Sequence, residues 1–161
     1  MGCTVTKPAP VPATVPTTTA DNVTVESVQF FRDNNGEKGE KLTEPFFYVT
    51  DIRLHAQAKL SALVPGMDGK VVWICKDCRG RAAPNFEVAS ATFNSTLVNV
   101  IDAHVELPRN WPAGSYELRV YLGDNLLHVE PFDIIDPDHP EDNPTPNAGA
   151  AETATNNNSD N

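Results

Sequence analysis

Every second residue is apolar in the stretch IRLHAQAKLSA, residues 52–62, and polar residues stand between them. Successive side chains of a β-strand point to opposite faces, so this alternation places the apolar side chains on one face. A helix would distribute the same residues around its whole surface. The stretch therefore predicts a strand with one face on a hydrophobic core.

The same alternation recurs in IDAHVEL (residues 101–107) and YELRVYL (residues 116–122). Turn-forming residues separate the runs, with NNG at 34–36, PGMDG at 65–69 and GDN at 123–125. We predict strands near residues 23–31, 46–49, 52–63, 70–75, 86–93, 97–107, 115–122 and 126–134. Strands at this spacing, without a helical period, predict an all-β fold, a single antiparallel β-sandwich.

Two stretches of this region, GKVVW (residues 69–73) and NWPAGSYELRVYLGDNL (residues 110–126), resemble the immunoglobulin-like domains of exported bacterial proteins. The resemblance implies that Trp73 fills the core between two sheets. We expect Trp111 to lie in a turn and to contribute less to stability than Trp73. The chain lacks the pair of cysteines that joins the sheets of antibody domains, and the scaffold itself serves many functions.

Composition divides the chain into three parts. We expect residues 1–22 to form a disordered Pro/Thr-rich tether, residues 23–135 to form the domain, and residues 136–161 to form an acidic disordered tail. The net charge of the chain is −10, and the tail carries six acids and no base. Because nucleic-acid binding needs a basic face, we expect no nucleic-acid partner. No apolar run approaches the roughly 18 residues of a membrane-spanning helix.

Cys3 follows Met1 and Gly2 and leads into a stretch rich in Pro, Thr and Ala that runs to Ala20. This arrangement resembles the start of a mature bacterial lipoprotein, in which a lipid-bearing cysteine heads a spacer. The resemblance implies lipid attachment at Cys3, contact with the membrane through it, and a place in the bacterial cell envelope. Thr4 after the cysteine resembles outer-membrane sorting, with the domain facing the periplasm or the cell surface.

Two alternatives stay open for this segment. Gly2 followed by Thr6 fits the pattern of N-myristoylation, and Cys3 would then be a palmitoylation site. Two acyl chains anchor a protein stably, whereas one does not. The other alternative is that Cys3 is an unmodified thiol.

Cys75 and Cys78 form the motif CKDC, which follows the strand predicted near residues 70–75. We predict a local disulfide that pins a loop, as expected in an oxidising compartment. A redox pair would need a helix start to lower the thiol pKa, and a zinc site would need two further ligands. The histidines considered for that role, His55 and His104, occupy outward positions on their own strands.

Lys76, Arg79 and Arg81 lie in and after this motif and form a basic cluster on an otherwise acidic chain. The cluster is a candidate binding loop for an acidic partner or a sugar. The competing interpretation is an ordinary solvated loop.

The sequence carries no hydrolase, phosphate-binding or cofactor motif. We therefore expect an exported, tethered binding or adaptor module that is not an enzyme and uses no cofactor or metal. Its expected partner is an envelope protein or an acidic ligand. Two alternatives from other classes are a thiol-disulfide redox protein using Cys75 and Cys78, and an inhibitor or immunity protein that presents the loop between them.

Overall fold

The computed structural model describes residues 22–145. Cys3, the tether before residue 22 and the part of the tail after residue 145 lie outside the described residues. Within residues 22–145, no helix reaches the length and apolarity needed to cross a membrane. The strands are β1 (Val25–Asn34), β2 (Glu37–Lys41), β3 (Phe46–Tyr48), β4 (Arg53–Leu60), β5 (Asp68–Asp77), β6 (Phe86–Asn94), β7 (Val100–Glu106), β8 (Gly114–Leu122) and β9 (Asn125–Ile135), followed by a 3-10 helix at Pro140–Asp142.

These strands pack as two sheets. One has the order β2-β1-β4-β7 and the other has the order β3-β9-β8-β5-β6. Neighbouring strands are antiparallel, except that β3 runs parallel to β9. Strands β1, β4 and β7 opposite β9, β8 and β5 reproduce the arrangement of strands A, B and E against G, F and C in an immunoglobulin-like sandwich. The predicted fold class is confirmed.

Strand β8 shows why these residues form strands. Its residues alternate between buried and half-buried from Gly114 to Leu122. The register with β5 places Leu118 opposite Trp73, so the apolar faces of the two strands join in one core. The predicted alternation of β7 is also found, with Ile101, Ala103 and Val105 buried between exposed residues.

Phe132 lies at the centre of this core. Its ring centroid is 5.1 Å from that of Phe30, 5.7 Å from that of Trp73 and 5.4 Å from that of Tyr116. Trp73 is 1% exposed, as predicted for the core tryptophan. Residues from both sheets therefore meet in one aromatic cluster.

Trp111 is more deeply buried than we expected for a residue in a turn. It lies between β7 and β8, but it is only 2% exposed, and its Nε1 donates a hydrogen bond to the carbonyl oxygen of Ile52 at 3.1 Å. The loop that carries it folds inward over one end of the sandwich. Trp111 is thus part of the core.

Strand β2 was not among the predicted strands. Its sequence EKGEK is polar throughout and almost entirely exposed. As the edge strand of its sheet, it has no buried face that could impose alternation. Asn35 and Gly36, with φ of 53° and 93°, form the type I′ turn that joins it to β1.

The ordered fold extends beyond Ile135, where the sequence analysis placed the end of the domain. The Asn143 side chain accepts a hydrogen bond from the backbone N–H of Asp136 at 2.6 Å and donates one to its carbonyl oxygen at 3.1 Å. These bonds join the two ends of the segment that contains the 3-10 helix. The boundary of the predicted disordered tail is therefore corrected: residues 136–145 belong to the described fold.

Candidate functional site

The loop after β5 and the loop before β8 lie at the same end of the sandwich. Because β5 and β8 are antiparallel, with Asp77 opposite Ser115, the end of one strand lies beside the start of the other. Strand β6 begins at Phe86 on the other side of β5. We call residues 75–81 the stapled loop and this part of the domain the stapled end.

A disulfide joins Cys75, near the end of β5, to Cys78, with their Cα atoms 6.1 Å apart. Cys75 is 0% exposed and Cys78 is 2% exposed. The Sγ atom of Cys78 lies 3.3 Å from the hydroxyl oxygen of Tyr116. The disulfide is therefore part of the packed interior.

The stapled loop ends in a tight turn. The N–H of Arg81 donates a hydrogen bond to the carbonyl oxygen of Cys78 at 3.0 Å, and φ is 51° at Arg79 and 79° at Gly80. Positive φ at both central residues defines a type I′ turn. The carboxylate of Asp77 also accepts a hydrogen bond from the N–H of Arg79 at 2.9 Å. One covalent bond and two hydrogen bonds thus fix the loop backbone, while both arginines are exposed.

The predicted basic cluster is divided between two cavities. Lys76 and Arg79 are two of the five charged residues that line a cavity of about 550 Å³, which we call the polar cavity. The Nζ of Lys76 lies 3.5 Å from the carboxylate of Glu117, and the guanidinium of Arg79 donates to the carbonyl oxygen of Asn143 at 2.7 Å. Arg81 lines a different, apolar cavity of about 400 Å³. Arg81 therefore lines a different cavity from Lys76 and Arg79.

The apolar cavity lies against the disulfide. Its buried lining includes both cysteines and the rings of Trp111 and Tyr116. Phe86, which is 51% exposed, also lines it, and so do Arg81 and Arg109. Arg109 could not be predicted as part of the site, because no motif or spacing in the sequence connects the β7–β8 loop with the stapled loop.

Tyr116 lines both cavities. Its hydroxyl donates a hydrogen bond to the carbonyl oxygen of Pro112 at 2.7 Å, and burial raises the pKa of its phenol. In the polar cavity, burial also raises the pKa of Asp133, against the opposing effect of a hydrogen bond with Ser115. Tyr116 is therefore a neutral, fixed donor at neutral pH.

Within the described part of the chain, no group of three or more His, Cys, Asp or Glu side chains is arranged to hold a metal ion. His55 and His104 lie opposite each other on β4 and β7, with ring centroids 5.7 Å apart. His55 is only 6% exposed, although its strand position faces outward, because it packs beside His104 and its Nε2 lies 2.7 Å from Asp33. Both histidines belong to the sheet that does not carry the stapled loop.

No protein-family model matches the chain. No curated protein matches it either. A crystal structure of an immunoglobulin-like protein from Pseudomonas aeruginosa is similar, with 16% sequence identity and a TM-score of 0.47 over 70% of this chain and 96% of that chain. An alkylpurine DNA glycosylase of Pseudomonas fluorescens, bound to DNA containing an abasic site analog, has 12% identity and a TM-score of 0.43, covering 70% of this chain and 30% of the glycosylase. Because both TM-scores are below 0.5, the immunoglobulin-like assignment rests on the strand order and register described above.

Proposed function

We propose that this protein is an exported, membrane-tethered binding or adaptor module of the bacterial cell envelope that acts without catalysis. Its stapled loop binds the partner, an envelope protein or another acidic ligand. The observation that carries this proposal is the fixed backbone of the loop, which holds Arg79 and Arg81 exposed on an acidic protein. A preorganised loop loses little conformational entropy on binding.

The proposed location follows from the N-terminal sequence and the disulfide. Cys3 would carry the lipid of an outer-membrane lipoprotein, and the domain would face the periplasm or the cell surface. A local disulfide at Cys75 and Cys78 fits an oxidising envelope compartment.

The surroundings of the cysteine pair favour a structural role over a redox role. A catalytic pair needs an exposed, partly ionised thiol, commonly at the start of a helix. Here Cys75 belongs to a strand, Cys78 begins a type I′ turn, and both are buried. These observations support a staple more strongly than a thiol-disulfide redox protein.

An inhibitor or immunity protein is the second candidate, because the rigid turn at Arg79 and Gly80 is suited to insertion into a target site. It differs from an adaptor in one measurable respect. A target enzyme would lose activity when an inhibitor binds, whereas an adaptor would leave that activity unchanged.

Photo-crosslinking in living cells of the natural host tests the proposal. A photoreactive amino acid is placed at Arg79 or, as the control, at Lys70, which lies toward the other end of β5. We expect a discrete crosslinked species in the envelope fraction from position 79 only, and its loss when Lys76 and Arg81 are changed to Glu. Equal crosslinking from both positions, or none in the envelope fraction, would contradict the proposal.

A further inference from the structure

We propose that the apolar cavity binds a small hydrophobic carboxylate. The hydrocarbon part of the ligand lies in the cavity, and its carboxylate binds the guanidinium groups of Arg81 and Arg109. This inference rests on the proposed function in one respect, since it takes the stapled end as the binding end. It goes further by assigning a small-molecule site beside the loop that binds the acidic partner.

The lining of the cavity is suited to a hydrocarbon ligand. Leu107 and Val88 are half-buried there, and the ring of Phe86 is 51% exposed. A ligand covering these side chains would remove apolar surface from water, which is the main favourable term in binding an apolar group. Small-molecule sites commonly combine such a lining with a few polar groups.

The buried polar groups of the lining already have partners. The hydroxyl of Tyr116 donates to the carbonyl oxygen of Pro112, and Nε1 of Trp111 donates to the carbonyl oxygen of Ile52. The sulfur atoms of the disulfide carry no proton. Among the lining side chains, the two guanidinium groups therefore supply the available hydrogen-bond donors. The polar part of the ligand must be an acceptor.

The charge of the site selects an anion. Six of the eleven lysines and arginines in the described residues form ion pairs with carboxylates. Arg81 and Arg109 form none with any described residue, although the chain as a whole is acidic. A pair of unneutralised arginines beside one apolar cavity is the electrostatic complement of a single anionic head group. A guanidinium fork also matches a carboxylate geometrically.

The cavity size sets the size of the ligand. Its volume of about 400 Å³ is near the lower end of the range for small-molecule sites, which runs from roughly 300 to 1,000 Å³. A straight chain of about eight carbons, or an aromatic acid of similar bulk, is of this order. Octanoate is therefore a suitable probe.

Titration of the purified, ¹⁵N-labelled protein with octanoate, followed by NMR, tests the inference. We expect saturable shifts of amide signals around the cavity, including those of Phe86 and Leu107. Butanoate, which has the same charge and a shorter chain, should bind at least tenfold more weakly. The uncharged 1-octanol should also bind more weakly, because it lacks the carboxylate.

Matched variants distinguish the contribution of the arginine charges to octanoate binding from that of the apolar cavity. An exposed ion pair contributes up to about fivefold in affinity, so the double change Arg81→Gln and Arg109→Gln should weaken octanoate binding by roughly tenfold. Lys41→Gln removes one positive charge from the exposed edge strand β2, outside the cavity lining, and it should leave the affinity unchanged. Ala82→Phe keeps both arginines and fills the cavity, so it should abolish binding. The amide spectrum of each variant shows whether it is folded.

Three outcomes would overturn the inference. The first is the absence of saturable shifts around the cavity, and the second is unchanged affinity in the folded double Gln variant. The third is binding of a short peptide with a free C-terminal carboxylate and an apolar last residue when octanoate does not bind, which would assign the cavity to a peptide terminus. The titration uses no envelope partner. A failure here and a failure of the crosslinking experiment are therefore distinguishable.

Discussion

The hydroxyl of Tyr116 donates a hydrogen bond to the carbonyl oxygen of Pro112, 2.7 Å away. The bond ties the start of β8 to the loop that precedes it. Trp111, next to Pro112 in sequence, packs edge-on against the Tyr116 ring with centroids 5.7 Å apart. A tyrosine at the start of strand F that bonds to upstream backbone is a feature of immunoglobulin-like sandwiches. Here the same corner also forms a wall of the apolar cavity.

We expect Tyr116→Phe to lower the free energy of unfolding by about 1–2 kcal/mol, because the Pro112 carbonyl loses its donor in a partly buried position. Urea denaturation measures the change. Tyr48→Phe is the matched control, since the Tyr48 hydroxyl has no hydrogen-bond partner among residues 22–145, and it should alter stability by less than about 0.5 kcal/mol. Equal losses in the two variants would show that the corner bond contributes nothing.

The sequence predicted the sandwich because strands with one buried face must alternate. β4, β7 and β8 all have such a face. β2 is solvated on both sides and therefore leaves no period in the sequence. The segment that follows Ile135 was also missed, because its sequence has no apolar alternation, whereas hydrogen bonds such as those of the Asn143 side chain hold it in the fold.

The two tryptophans should respond differently to replacement by phenylalanine. Both are about equally buried, but Nε1 of Trp111 donates to Ile52, whereas Nε1 of Trp73 is buried without a partner in the described residues. Trp111→Phe loses a hydrogen bond, while Trp73→Phe removes an unsatisfied donor. We expect Trp111→Phe to be the more destabilising change by about 1–2 kcal/mol. Urea midpoints measured side by side check this, and the reverse order would contradict it.

Less of the candidate site than of the fold could be predicted from the sequence. The motif CKDC predicted the disulfide that joins Cys75 to Cys78. The arginines were harder to place. Successive residues of a loop face different directions, so the cluster of Lys76, Arg79 and Arg81 separates into two cavities. Arg109 joins Arg81 only through the tertiary fold.

Asp133→Asn should stabilise the domain at neutral pH. Burial raises the pKa of Asp133 in the folded state, so the folded state favours the protonated form. The stability that this group contributes is complete below its unfolded pKa of about 3.8 and is lost as pH rises through the folded value. The melting temperature of Asp133→Asn should exceed that of the parent by roughly 2 °C or more at pH 7, with the difference shrinking towards pH 3.5. Glu87→Gln, on the exposed edge strand β6, is the control. A difference in melting temperature that does not change with pH would contradict the raised pKa of Asp133.

Cys3→Ser should release the protein from the membrane. If Cys3 carries the lipid, the full-length precursor produced in a Gram-negative host fractionates with membranes, and its intact mass includes the acyl groups. The variant should be soluble and should lack that mass. Membrane association that is unaffected by Cys3→Ser would remove the tether from the proposed function.

The last prediction concerns the disulfide. A structural disulfide is shielded from attack by thiols, whereas a redox pair is open to it. Cys75 and Cys78 are 0% and 2% exposed, so an attacking thiolate has little access to either sulfur in the folded protein. We expect the bond to be oxidised as isolated, to have a reduction potential below about −300 mV, and to show no turnover with insulin. Graded thiol buffers with free thiols counted by mass spectrometry give the midpoint, and the same reduction in urea is the control, because unfolding should expose the bond and accelerate its opening. A midpoint near −200 mV, within the range of exchange catalysts, together with rapid reduction of the folded protein, would place this chain among the thiol-disulfide enzymes and overturn the non-catalytic proposal.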